Sequence, residues 1–386
     1  MKACIHLVAQ IPYATDASVS FEGMDMWCQV TEIWEMGAGD EEEHAMLVFN
    51  YIYYLLTQKK GKESKNDIFL CIGTAIPEGQ TVYVLLHESA VVEGGVSRTN
   101  NDLVVGTGAD GKVIGRASAR EWLLINAVNG HVFSAADLNC PLKEIACLVS
   151  PDNIYSNIQR DARPAKTLFD IKDTSNWRPF FGEKFPAPQN GISTLQRQVQ
   201  YTASLPSYAL EVERSISMAV KDALRKLRSQ RRRSSMTTIH PQASQVVKEL
   251  LSAMDNFMLN KDSILSNMTS SASSLGRTNS GTRERSNSDR DDRGRSRVAD
   301  KLIINKFQQL ANERMQDILI RRELNGFPIN VPFTDVDEIV SIVTSLSVHE
   351  ASSPDVQFVF AVRAFPYCNS LVSLWIFIGT LETTMD

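Results

Sequence analysis

Cysteine is scarce and scattered in this chain. Its six residues (Cys4, Cys28, Cys71, Cys140, Cys147 and Cys368) include no C-x-x-C pair and no histidine at metal-ligand spacing. That argues against a zinc ribbon or a disulfide framework and predicts reduced, mostly buried thiols in the cytoplasm. The histidines are isolated as well, and no H-E-x-x-H occurs, so neither a metal nor another cofactor is expected. No apolar run reaches the ~20 residues of a membrane-spanning helix; the most apolar stretch, Leu371 to Leu381, is about half that and reads as a core strand. The glycines at 94–95 and 106–111 precede no Gly-Lys-Ser/Thr, which excludes a P-loop. Positive charge is also short. The net charge is −5, with no basic stretch interleaved with aromatics, so nucleic acid is not an expected partner. The first residues show no charged stretch, apolar core and small-residue cleavage site in series. A soluble intracellular protein is the expectation.

What the chain does have is length and apolar content. Its 386 residues, 43% hydrophobic, suffice for two or three domains with sizeable cores. Gly39-Asp40-Glu41-Glu42-Glu43-His44-Ala45 opens what reads as the strongest amphipathic helix, from Asp40 to about Thr57, with apolar residues at three- and four-residue steps. Acidic residues in a first turn lie beside free backbone N–H groups and the positive end of the helix dipole, so capping alone accounts for them. Strand-like runs follow at Ile68 to Ile72, Thr81 to His87 and Trp122 to Ile125, and Asn129-Gly130 signals a hairpin into Val132-Phe133. The expected fold class is α+β, an antiparallel sheet packed on a central helix, over residues 1–185.

Within that block, 88–119 reads as a surface insertion, and Pro141 to Phe185 as an irregular aromatic arm. Residues 186–265 read as a linker and a basic helical segment. Residues 266–298 have almost nothing apolar and are expected to be disordered. The remainder, 299–386, reads as a helix ending at Asn325-Gly326 and then a small helix–strand–strand subdomain. The basic segment 221–233 gathers Lys221, Arg225, Lys226, Arg228 and Arg231 to Arg233 against Asp222. It precedes Ser234-Ser235, the pattern of a basophilic kinase site, where phosphate would reverse the local charge. A solvated helix end explains the cluster equally well.

Nucleophilic chemistry would need a thiolate-favouring site with a base in reach. Cys28 follows Trp27, a cysteine beside a tryptophan as in papain-like enzymes, but its flanks match no catalytic signature, and a core thiol is the expected role. Glu41 or Glu42 with His44 offers metal-ligand atoms without a second histidine, so His44 is expected to be a satisfied imidazole.

Several unusual strings occur in one order: Trp27, the 39–45 motif, Asn50-Tyr51, Gly73 to Gly79, Asn129-Gly130-His131, Cys140 to Lys143, Pro151 to Tyr155 and Asn157 to Arg160. Gly326-Phe327-Pro328, Val348-His349, Phe365-Pro366-Tyr367 and Ser373 to Ile376 continue the series. Together they resemble the C-terminal region of the coiled-coil and C2 domain-containing 2A family. The resemblance implies a degenerate transglutaminase-like (papain-like) domain and a non-enzymatic scaffold of the ciliary transition zone, acting in cilium assembly. It implies a place in the cytoplasm and cytoskeleton at the cilium and basal body, with other transition-zone proteins as partners. The basic segment 221–233 adds acidic cytoskeletal surfaces as partners. The alternative is an active cysteine peptidase or transglutaminase using Cys28 or Cys71. The residues present carry neither coiled coil nor C2 domain, as expected of a short form or of part of a longer product.

Active transglutaminases open the central helix with Gly-x-Cys-x-x-x-Ala, which falls here on Gly39 to Ala45 and places Glu41 at the nucleophile position. The resemblance places Thr81 at the histidine position and Asn126 at that of the orienting aspartate. A carboxylate cannot replace a thiolate in acyl transfer, and threonine is no base near neutral pH.

Overall fold

The structure is a computed structural model that describes residues 1–16, 26–60, 67–87, 122–188, 199–230, 237–255, 305, 307–352 and 355–383. The expected insertion at 88–119, the 266–298 segment, and Arg231 to Arg233 with Ser234-Ser235 lie outside the described residues. Two compact units divide the chain close to residue 200. Among the described residues, no helix is long and apolar enough to cross a membrane.

The first unit begins with α1 (Lys2–Val8), α2 (Val30–Met36) and α3 (Glu41–Lys60). Seven antiparallel strands follow: β1 (Ile68–Ala75), β2 (Gly79–His87), β3 (Trp122–Ile125), β4 (Val132–Ser134), β5 (Leu142–Val149), β6 (Ile154–Asn157) and β7 (Trp177–Pro179). Their order is β4-β3-β2-β1-β5-β6-β7, so β1 and β2 lie inside the sheet. Pro77-Glu78 and a positive-φ Gly79 turn the chain between them, setting the register from Ala75 against Gly79 to Ile68 against Leu86.

The mixed α/β class with an antiparallel sheet matches expectation; two details differ. The first half of α3 is buried beyond one face, with Glu43 to Phe49 buried in succession, whereas in its second half Ile52 and Leu56 are buried and Tyr54 is exposed, as a one-faced helix requires. The expected irregular arm after Pro141 also supplies β5, β6 and β7. In β5 the inward residues Leu142, Ile145 and Leu148 are three apart, because register shifts opposite Gly73 and Ala75 break the period of two. Gly73 sits where a β-carbon would stand 2.0 Å from the Glu144 carbonyl oxygen, so only glycine lets β5 approach. Phe169 and Trp177, aromatics of that arm, do cover the sheet as expected.

The second unit contains α4 (Pro206–Gln230), α5 (helical residues 241–255), α6 (helical residues 307–314), β8 (Arg322–Pro332), α7 (Val336–Ser345), β9 (Gln357–Pro366) and β10 (Val372–Thr383). The sheet order is β8-β10-β9. Every residue of β10 from Val372 to Leu381 is buried, because helices cover both faces. On one face Val212, Ile216 and Val220 of α4 and Ile339 and Val343 of α7 pack on Phe360, Val362, Leu374 and Ile376. On the other, Val247 and Leu251 of α5 and Phe307 and Ala311 of α6 pack on Val359, Ala361, Trp375 and Phe377.

Here too the structure corrects the reading. The expected helix end at Asn325-Gly326 lies inside β8, where Gly326 faces Gly379 across the ladder. A β-carbon on Gly326 would come within 2.8 Å of the Gly379 α-carbon, so these glycines serve contact between strands and not a turn. The basic helix is no free segment either. Arg228 is buried, donates to the carbonyls of His349 (3.1 Å) and Ala351 (2.9 Å), and lies 4.8 Å above the Phe358 ring. Arg225 pairs with Asp222 at 3.0 Å.

Candidate functional site

The acidic motif begins where the chain leaves α2 through Gly37, in the left-handed conformation, and crosses Gly39. Gly39 bridges to Tyr13, and its carbonyl accepts from the Ala14 N–H. A β-carbon on Gly39 would stand 2.7 Å from that of Glu43, so glycine is required for Glu43 to fold back. Asp40 then caps α3, its Oδ1 accepting from the Glu42 N–H at 3.1 Å. Glu43 reaches back to accept from the Asp40 N–H (Oε2, 3.2 Å), which completes a capping box. Its other oxygen accepts from the Cys28 N–H at 2.9 Å. Glu43 thus fastens the 26–28 loop to the start of the helix.

Two carboxyls this close, with Glu43 only 2% exposed, cannot both stay charged at little cost. Burial, and then the hydrogen bond with Asp40, pushes Glu43 up to about 8, while hydrogen bonds from Glu43 and Glu42 hold Asp40 below its ordinary value. Asp16 joins the group by accepting from the Met26 N–H at 2.6 Å. One carboxylate oxygen each from Asp16, Asp40 and Glu43 lies within 4.8 Å of the others, and Asp40, Glu41 and Glu42 form a second such trio. The backbone N–H groups of Met26, Cys28, Asp40 and Glu42 engage Asp16, Asp40 and Glu43, so loop clamping accounts for their closeness.

Glu41 itself accepts from the Tyr13 hydroxyl at 2.9 Å. Burial and the Glu41 carboxylate raise the Tyr13 phenol. His44 is buried and its Nδ1 lies 2.6 Å from the Asp40 carbonyl oxygen, which makes that nitrogen the protonated one. The imidazole is satisfied by helix backbone, as expected.

The other two sequence-derived positions lie elsewhere. Side chains alternate along β2, so Thr81 shares a face with Tyr83 and Leu85. That face holds the cluster of Phe69, Cys71, Phe169 and Trp177, which has no member from α3. Since α3 packs on β1 and β2, it covers the opposite face, beside Val82, Val84 and Leu86. Thr81 therefore points away from the helix that carries Glu41. Asn126 donates to the Tyr83 hydroxyl at 3.0 Å, and its Oδ1 accepts from the Val128 and Asn129 N–H groups. Tyr83, two residues beyond Thr81, is the partner that sequence reading missed. It was hidden in an apolar strand, where a buried tyrosine looks like any core aromatic.

Neither alternative nucleophile is poised. Burial, then Glu43, pushes the Cys28 thiol up to about 11. Cys71 is fully enclosed, and burial holds it well above the ordinary thiol range. Both are protonated near neutral pH and so are poor nucleophiles. All six cysteines are free.

Comparison with known proteins finds a family match and homologous proteins. The CEP76 peptidase-like domain family matches residues 25–180. Human protein CC2D2B is 22% identical over 97% of this chain, and the coiled-coil and C2 domain-containing protein 2A of Drosophila melanogaster is 24% identical over 69%. The chain spans about a fifth of the length of these relatives, 20% and 16% respectively. No solved structure matches. The chain is thus a homologue of the CC2D2B and coiled-coil and C2 domain-containing 2A proteins over most of its length, with a CEP76 peptidase-like region in its first unit.

Proposed function

We propose that the first unit is a transglutaminase-like (papain-like) module without catalytic chemistry, and that the protein is a scaffold of the ciliary transition zone acting in cilium assembly. The observation that carries the reading is the start of α3. The nucleophile position holds Glu41, and the α3-facing positions of β2 are Val82, Val84 and Leu86, none of which can take a proton. Thr81 faces the other side of the sheet and Asn126 is bonded to Tyr83, so neither supplies a base or an orienting acid to Glu41. The likeness to CC2D2B and coiled-coil and C2 domain-containing 2A carries the cellular half of the reading. On this reading the protein works in the cytoplasm and cytoskeleton at the basal body and cilium, among other transition-zone proteins, with acidic cytoskeletal surfaces meeting the 221–233 segment.

The experiment is proximity labelling with the tagged full-length gene product in ciliated cells. Enrichment of transition-zone proteins, unchanged by Glu41→Ala, supports the scaffold. A diffuse protein with no such neighbours refutes it. An active cysteine peptidase is the rival reading, and the raised thiols of Cys28 and Cys71 disfavour it.

A further inference from the structure

The second unit has a sheet edge that is open over part of its length. In the three-stranded order, β9 is bonded on one side to β10, and its other side faces a groove of about 760 Å³ between α4 and the start of α5. That volume is in the range of ligand sites, roughly 300–1,000 Å³. The even-numbered residues of β9 turn their backbone groups to this outer edge. Phe358 donates to the Thr238 carbonyl and accepts from the His240 N–H, the Phe360 N–H meets Ser244 Oγ at 3.2 Å, and the Ala364 N–H meets Glu213 Oε2 at 3.2 Å. The ladder to β10 runs without a register break, so the N–H and C=O of Val362 and the C=O of Phe360 point the same way. No protein partner meets them among the described residues, and both residues line the groove.

The groove wall supplied by α4 is a second stripe beside its buried one. Leu210, Arg214, Met218, Lys221 and Arg225 recur at three- and four-residue steps along it. Leu210 and Met218 are 56% and 61% exposed, unusual for apolar side chains on a helix with a well-filled core face. Lys248 closes the α5 side. The single lining carboxylate, Glu213, is already engaged by Lys248 and Arg363, whereas Arg214 and Lys221 have no partner among the described residues. The site therefore combines open strand hydrogen bonds, two apolar anchors and unneutralised positive charge.

We propose that this groove is a docking site for an extended acidic segment of a partner protein, which adds to β9 as a further strand. Its backbone pairs with Val362 and Phe360, and its side chains on the α4 side, acidic and apolar by turns at every second residue, meet Arg214 and Lys221 and lie against Leu210 and Met218. The inference rests on the binding role proposed above but places the contact in the groove and not at the helix end, since Arg228 is interior.

The probe is a fluorescein-labelled extended peptide that carries Glu and Val by turns at every second position, so that both stand on one face of the strand, with Thr between them, titrated against the full chain by anisotropy. Binding is expected to weaken steeply between about 0.05 and 0.5 M salt, across which the Debye length shortens severalfold. Arg214→Glu with Lys221→Glu, both surface changes, should weaken it by roughly tenfold or more through repulsion of the incoming carboxylates. Methylating the alternate peptide nitrogens that would face β9 should abolish it. Absence of binding, equal binding of a peptide with Lys in place of Glu, or indifference to the paired substitutions or to N-methylation would each overturn the proposal. A groove that fails here while transition-zone labelling persists in cells would overturn this inference alone.

Discussion

Glu43 ties the 26–28 loop to the start of α3. Its carboxyl sits at about 8 when folded, above its ordinary value of 4.5, because burial and Asp40 disfavour its charge. A raised folded pKa gives stability that is present below the unfolded value and lost as pH rises through the folded one. The thermal midpoint of the protein should therefore fall between about pH 4.5 and 8, and Glu43→Gln, which mimics the protonated form, should flatten that slope. An unchanged slope in the variant would remove Glu43 as its source. Asp40 shifts the opposite way, and its contribution is lost only in more acid solution, below its ordinary 3.8. Glu41, by contrast, is a first-turn charge held by one tyrosine. Glu41→Ala should cost at most about 1 kcal/mol in chemical denaturation, the usual scale of a charge at a helix N-terminus. Glu41→Cys should yield no acyl transfer, since β2 offers no base on that face; measurable turnover by this single variant would defeat the assignment.

Elements differ in how openly the sequence announces them. The helix at 41–60 was plain from its apolar steps and acidic first turn, and β1 and β2 from their apolar runs and the Pro-Glu-Gly turn. The strand β5 was not, because register shifts give its inward residues a spacing of three. The strand β8 was obscured for a related reason, as Asn325-Gly326 is the usual mark of a turn, yet here it makes room for Gly379. The capping role of the 39–45 motif was legible because it is local. The sheet face of Thr81 and the bond from Asn126 to Tyr83 were not, since they depend on tertiary packing, the bond on a partner 43 residues away. Two tests belong at this scale. Gly73→Ala forces a β-carbon into the Glu144 carbonyl and should destabilise the protein by more than about 2 kcal/mol, as other severe backbone clashes do. Arg228→Met keeps the apolar stem but leaves the His349 and Ala351 carbonyls without a donor, a loss of about 1–3 kcal/mol by urea denaturation. Wild-type stability in either variant would show that the contact is dispensable.

Over the whole molecule, the two units carry different parts of the account. The first matches a peptidase-like domain over residues 25–180, and its two candidate nucleophiles, Cys28 and Cys71, are held protonated. The second, a sheet between helical layers, leaves a basic groove along its open edge. Both the motifs and the homologues run through the two units, so the cellular role is expected to need both, whereas the proposed loss of chemistry rests on the first unit. That proposal can be tested on one atom. The pH dependence of Cys28 alkylation by iodoacetamide, read by mass spectrometry on the native full-length chain, should show slow labelling through neutral pH, rising only toward a midpoint near 11. A midpoint below about 7, the range of activated cysteine nucleophiles, together with amide hydrolysis lost in Cys28→Ser, would contradict the account.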